Sequence, residues 1–174
     1  MTKVLVVDDE EVNIKLIEAM LNEEYEIITA QSGNEALNKI IEDKPDIVLL
    51  DIMMPQINGY DVCKSIKEND ATRFIPVVMC TVLSESEAKI KAIEIGADGY
   101  LTKPINRIEL LTRIKSLLKK KYYQDELVHD KEIIEQQNKA LRQEHNELEQ
   151  KVHERTEELM KAKISSLKDR MNVK

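Results

Sequence analysis

The stretch Asp46-Ile47-Val48-Leu49-Leu50-Asp51-Ile52-Met53-Met54-Pro55 decides the fold. Four apolar residues follow one another with no polar alternation, so Asp46–Leu50 reads as a strand buried on both faces. A parallel sheet covered by helices offers that environment. Lys3–Val7 and Ile75–Cys80 read the same way, and Glu26–Ala30 and Gly99–Thr102 complete a set of five strands. Helix-period stretches lie between them: Val12/Leu16/Ile17/Met20, Ala36/Leu37/Ile40/Ile41, Val62/Ile66 and Ala88/Ile90/Ile93. Strict alternation with short connections predicts an α/β fold, a doubly wound five-stranded parallel sheet with helices on both sides.

Composition sets the limits around that domain. With 26 Lys+Arg against 33 Asp+Glu, the net charge of -7 argues against nonspecific nucleic-acid binding as the main task. The apolar runs are four or five residues long, far short of the roughly 18 that a membrane span needs. Met1-Thr2-Lys3 followed by the first strand lacks the pattern of a signal peptide. A cytoplasmic location with no membrane contact is expected, and Cys63 and Cys80 are expected to stay reduced there.

The chain divides in two. All four glycines and all four prolines lie before residue 105. Residues 119–174 carry 13 basic and 12 acidic side chains, too polar for a globular core and rich in helix formers. The expected division is a domain over 1–120 and a coiled-coil helix over 121–174, continuous with the last domain helix.

In sheets of this kind ligands bind outside the carboxyl ends of the strands. Asp8 and Asp9 end the first strand, Asp51 follows the third, Thr81 the fourth and Lys103 the fifth. Converging carboxylates repel unless they share a cation, and a small set of hard oxygens suits Mg²⁺. No His or Cys is expected near these ends to suggest zinc. Thr81 supplies a hydroxyl and Lys103 an ammonium, which together with a metal can neutralise a transferred phosphoryl group. Asp51, central among them, is the natural acceptor. A single strand-end Asp is most often a helix cap, but five such residues together point to a site. Gly96-Ala97-Asp98-Gly99 lacks the spacing of a phosphate loop and reads as a turn.

The segments Val4–Glu10, Asp46–Pro55 with Asn58-Gly59-Tyr60, Ile75–Thr81 and Gly96–Pro104 together closely resemble the receiver domain of two-component response regulators. The resemblance covers about residues 1–120 and implies a flavodoxin-like sheet in the order 2-1-3-4-5. It implies that Asp51 is the phosphoacceptor, and that Asp8, Asp9, Asp51 and the backbone carbonyl of Met53 hold Mg²⁺. It further implies that Thr81 and Lys103 contact phosphoryl oxygens, that Thr81 and Tyr100 form the switch, and that the Lys103–Pro104 peptide is cis. The donor would be a phosphohistidine on a sensor histidine kinase or phosphotransfer protein. The chain would then be no enzyme beyond its own phosphorylation and dephosphorylation. One departure stands out: Val82 occupies a position where the family usually has a small residue. With Met53 it is expected to restrict access to the site and slow hydrolysis of the phosphoaspartate.

In the tail, Leu127, Ile134, Leu141 and Leu148 recur every seven residues. Placing them at d puts Lys131, Asn138, His145, Val152 and Leu159 at a, a weakly apolar seam in which Asn138 can set the register. A break in register is expected near 153–157. The expectation is a parallel homodimer feeding an output domain or partner, the chain being a fragment of a longer regulator. His129, His145 and His153 lack ligand spacing. Two other readings are a constitutive dimerisation scaffold that signals without phosphorylation, and a Mg²⁺-dependent phosphohydrolase. The latter is disfavoured by the lack of a cap insertion.

Overall fold

The computed structural model describes residues 1–82 and 86–171, with side chains described for 1–82 and 90–168. Five parallel strands, β1 (Lys3–Val7), β2 (Glu26–Ala30), β3 (Ile47–Asp51), β4 (Val77–Thr81) and β5 (Gly99–Thr102), form one sheet in the order β2-β1-β3-β4-β5. They alternate with α1 (Glu11–Leu21), α2 (Gly33–Asp43), α3 (Gly59–Glu68), α4 (Ser86–Glu94) and α5 (Arg107–Met171). The strand order reverses between β1 and β3, and that reversal opens the crevice where ligands settle in such sheets.

The central strands are apolar on both faces because each face meets helices. Leu5, Val7, Val48, Leu50, Val77 and Met79 face one core with Ala36 and Ile40 of α2 and Val62 and Ile66 of α3. Their neighbours Val4, Val6, Ile47, Leu49, Val78 and Cys80 face the other, with Ile14, Ile17 and Leu21 of α1 and Leu110 and Ile114 of α5. Each fully buried aliphatic side chain of this kind contributes about 1.5–3 kcal/mol.

Two strands sit differently from their predicted bounds. β3 runs on through Asp51, which pairs with Cys80, and the Ile52 N–H donates to the Cys80 carbonyl at 3.1 Å. β4 begins after Pro76, which has no N–H for the ladder, although its carbonyl accepts from Val48. Asp46 lies outside the strand and works as a bracket. Its Oδ2 accepts from the Lys3 N–H at 2.9 Å and its Oδ1 from Lys121 Nζ at 3.1 Å.

The predicted helix faces need a larger correction. Val12 and Leu16 are exposed, and α1 buries Ile14, Ile17 and Leu21 instead. Ile41 is exposed on α2, and on α4 Ile90 and Ile93 are exposed while Ala92 is buried. The side chain of Ala88 lies outside the described residues. The helix expected from Ile105 starts at Arg107, after Asn106, whose Oδ1 accepts from the N–H groups of Ile108 and Glu109. It buries Leu110, Ile114 and Leu117 and leaves Ile108 in solvent.

Two compact units divide the chain, residues 1–124 and 125–174. In the second, α5 is helical up to Met171, including 153–157; the predicted helix residues 172–174 and the side chain of Met171 lie outside the described residues. Leu127, Ile134, Asn138, Leu141, Leu148, Val152 and Leu159 are all exposed. Ion pairs such as Lys131–Glu135 and Lys161–Glu157 link successive turns. Among the described residues no helix is long and apolar enough to cross a membrane.

Candidate functional site

Backbone geometry at the end of β3 sets the position of Asp51. The Met53 N–H donates to Asp51 Oδ2 at 3.1 Å, folding the chain back over the carboxylate. Gly59 then opens α3 directly on top of this turn, its N–H donating to the Ile52 carbonyl at 3.0 Å. A Cβ on Gly59 would lie 2.1 Å from the Asp51 carbonyl oxygen, so only glycine permits the approach.

β1 delivers Asp8 and Asp9 to the same edge. One carboxylate oxygen from each of Asp8, Asp9 and Asp51 lies within 4.8 Å of the others. Asp8 and Asp51 are buried while Asp9 is exposed. Lys103, following β5, bridges the two buried carboxylates, 2.6 Å from Asp8 Oδ2 and 2.7 Å from Asp51 Oδ1. The Lys103–Pro104 peptide is cis, and the Lys103 N–H donates to the Thr81 carbonyl at 2.7 Å. Strands β1, β3 and β5 thus contribute the charged groups. Thr81, buried at the end of β4, lies between the last two of these strands.

Burial raises the pKa of Asp51 most, and Asp8 and Asp9 add to the rise against the opposing pull of Lys103. For Lys103, burial disfavours the charge, but the hydrogen bonds to Asp51 and Asp8 outweigh it and raise its pKa. Three ionised carboxylates and one ammonium leave two negative charges uncompensated, which matches one divalent cation. The donors are all hard oxygens, so the residues present fit Mg²⁺.

Tyr100 is half-buried on β5, paired with Met79 and packed against the first core. Val82 and Met53 are both exposed, at 64% and 63%. Val82 lines a cleft of about 360 Å³ with Glu10, Leu16, Lys103, Pro104 and Ile105. Met53 borders a groove with Tyr60 and Lys91, and the Lys91 ammonium lies 4.4 Å from the Tyr60 ring centroid.

Two residues at the site were not assigned to it from the sequence. Cys80 does stand next to the strand end, contrary to expectation, because it pairs with Asp51 across β3 and β4. Burial, reinforced by Asp51 and Asp8, pushes its thiol up to about 12, so it remains protonated and a poor metal ligand. Asn13, in the first turn of α1, donates from Nδ2 to Asp8 Oδ1 at 3.0 Å. Its position at N3, where side chains reach back over the preceding turn, was the available signal.

The similarities to known proteins agree with this geometry. The chain is 46% identical over 126 residues to the response regulator PleD of Caulobacter vibrioides, a match covering 72% of this chain and 28% of that protein. It is 40% identical over 119 residues to the alkaline phosphatase synthesis transcriptional regulatory protein PhoP of Bacillus subtilis, covering 68% of this chain and 49% of the relative. The matched regions thus span less than half the length of either relative. The crystallised chemotaxis protein CheY4 of Vibrio cholerae superposes with a TM-score of 0.64 at 32% identity, covering 67% of this chain and 98% of that one. A two-component response regulator from Clostridium difficile gives 0.64 at 30% identity, covering 68% and 97%. Residues 4–115 match the response regulator receiver domain, and the chain belongs to that family.

Proposed function

We propose that this chain accepts a phosphoryl group on Asp51 from a phosphohistidine of a sensor histidine kinase or phosphotransfer protein. The carrying observation is Lys103, whose ammonium spans two buried carboxylates at 2.6 and 2.7 Å. A carboxylate oxygen of Asp51 attacks phosphorus, the P–N bond to the donor imidazole breaks, and the imidazole leaves with the bonding pair. Lys103 and the Thr81 hydroxyl hold phosphoryl oxygens as negative charge moves onto Asp51. Asp8, Asp9, Asp51 and the Met53 carbonyl would hold Mg²⁺, which would supply further neutralisation of the phosphoryl charge. The apolar rim of the cleft beside Lys103, with Leu16, Val82, Pro104 and Ile105, is the docking surface for the donor protein.

Once phosphorylated, the site draws in Thr81, and Tyr100 follows into the space released, remodelling the face of α4, β5 and α5. The tail carries this change as a parallel homodimeric coiled coil, with Leu127, Ile134, Leu141 and Leu148 at d and Asn138, Val152 and Leu159 at a, to an output domain or partner protein. The receiver extends over 1–120 and the coil over 121–174. The chain acts in the cytoplasm, binds no nucleic acid directly, and catalyses only its own phosphorylation and dephosphorylation.

Incubation with acetyl phosphate and Mg²⁺, read by intact mass, tests the acceptor. Wild type gains one phosphoryl group and Asp51→Asn gains none; equal incorporation in both would end the proposal. Light scattering with Mg²⁺ alone and then with fluoroberyllate tests the dimer. A fluoroberyllate response lost in Asp51→Asn supports the switch, while an unchanged dimer in both supports a scaffold. Val82→Ala is expected to shorten the phosphoaspartate lifetime severalfold, and an unaltered lifetime would remove Val82 from control of access.

A further inference from the structure

Asn13 is the third residue of α1 and sits at the acidic cluster without being one of its carboxylates. It does not serve the helix it belongs to. The first turn of α1 is closed by backbone bonds from the Asn13 and Ile14 N–H groups to the Glu10 carbonyl, and no side chain caps it. The Asn13 amide is turned back onto Asp8 instead. Because a carboxylate only accepts, the group facing it must be the NH₂. Asp8 Oδ1 thus receives two donors, Asn13 Nδ2 and the Glu10 N–H, each at 3.0 Å. Asp8 Oδ2 receives Lys103 at 2.6 Å.

We propose that Asn13 is a positioning residue that pins Oδ1 of Asp8, presents Oδ2 to the cation site, and thereby favours Mg²⁺ over the larger Ca²⁺. The proposal rests on the reading that Asp8, Asp9 and Asp51 hold Mg²⁺. An oxygen has two lone-pair directions, and both on Oδ1 are occupied, so the plane of the carboxylate is fixed. Mg²⁺ demands near-ideal geometry at about 2.0–2.1 Å, whereas Ca²⁺ accepts looser shells at about 2.3–2.6 Å. A carboxylate held still serves the first ion more than the second. Without Asn13 only the Glu10 N–H holds Oδ1, and the carboxylate keeps less restraint on its plane, with Lys103 alone on Oδ2.

Calorimetric titration of the whole chain with MgCl₂ and, separately, CaCl₂ tests this. Loss of an outer-shell partner typically weakens metal binding by about 10-fold or more. Asn13→Ala is therefore expected to lose about 10-fold in Mg²⁺ affinity and less in Ca²⁺ affinity, lowering the ratio of the two. Val12→Ala, on the same turn but exposed, should leave both unchanged. Equal losses for the two ions, together with a lower metal-free melting temperature, would reduce Asn13 to a structural residue and overturn the proposal. Unchanged Mg²⁺ affinity in Asn13→Ala, with binding abolished in Asp9→Asn, overturns the role of Asn13 alone. Failure of the wild type to bind Mg²⁺ overturns the parent reading and this one with it.

Discussion

Leu49 and Leu141 are the same residue in two different situations. Leu49, in β3, is 1% exposed among the side chains of α1 and α5, while Leu141, in the tail, is 64% exposed. Residues 1–124 bury two apolar cores built from their own side chains. In the tail Leu127, Leu141 and Leu148 are exposed at seven-residue spacings or multiples of them. In the first unit an apolar residue specifies a fold. In the second it stays on the surface of the helix, which helix propensity with scattered ion pairs sustains only in part.

The sharpest test of that contrast is truncation. Leu49→Ala should cost the receiver about 2–5 kcal/mol and lower its melting temperature steeply. Leu141→Ala should leave that transition in place and shift the molar mass seen by light scattering toward monomer. A receiver transition that falls equally in both variants would erase the distinction between the units. Mg²⁺ gives a smaller separation. At ten times its dissociation constant it should stabilise the receiver by about 1.4 kcal/mol, while the tail, which has no part in the acidic site, should keep its own helical melting.

The smallest effect is electrostatic. Glu35 accepts from Lys39 Nζ at 2.6 Å and from the Gln31 N–H at 2.8 Å, and these bonds, Lys39 first, hold its pKa below the usual carboxylate value. A depressed folded pKa gives stability that is complete above the unfolded pKa and lost as pH falls through the folded one. With 42% of the side chain exposed, solvent screening limits the contribution to about 0.5 kcal/mol. Glu35→Gln should therefore melt slightly below wild type at neutral pH, and the two should converge in acid.

The sheet was legible because burial on both faces leaves an unmistakable pattern: Val4–Val7 and Ile47–Leu50 have no polar member to misplace. The helices were less so. α1 carries two overlapping apolar rows, and the sequence alone does not say that Ile14 and Leu21 turn inward while Val12 and Leu16 remain outside. Asp8, Asp9, Asp51, Thr81 and Lys103 could be found because topology delivers strand ends to a common edge. Asn13 was invisible to that logic, since it comes from a helix and makes its contact by reaching backward. Cys80 stands beside the site for a different reason: it precedes Thr81 on β4 and pairs with Asp51, while its side chain belongs to the second core.

Lys103 has a consequence for how the protein comes into being. Its ammonium gives the acidic cluster a built-in counter-ion, supplied by the chain nearly a hundred residues after Asp8. A newly made receiver can close its sheet over Asp8 and Asp51 before any metal arrives, because the most buried charges already have a partner. Folding can then precede metal binding, and the metal adds stability to a sheet already closed.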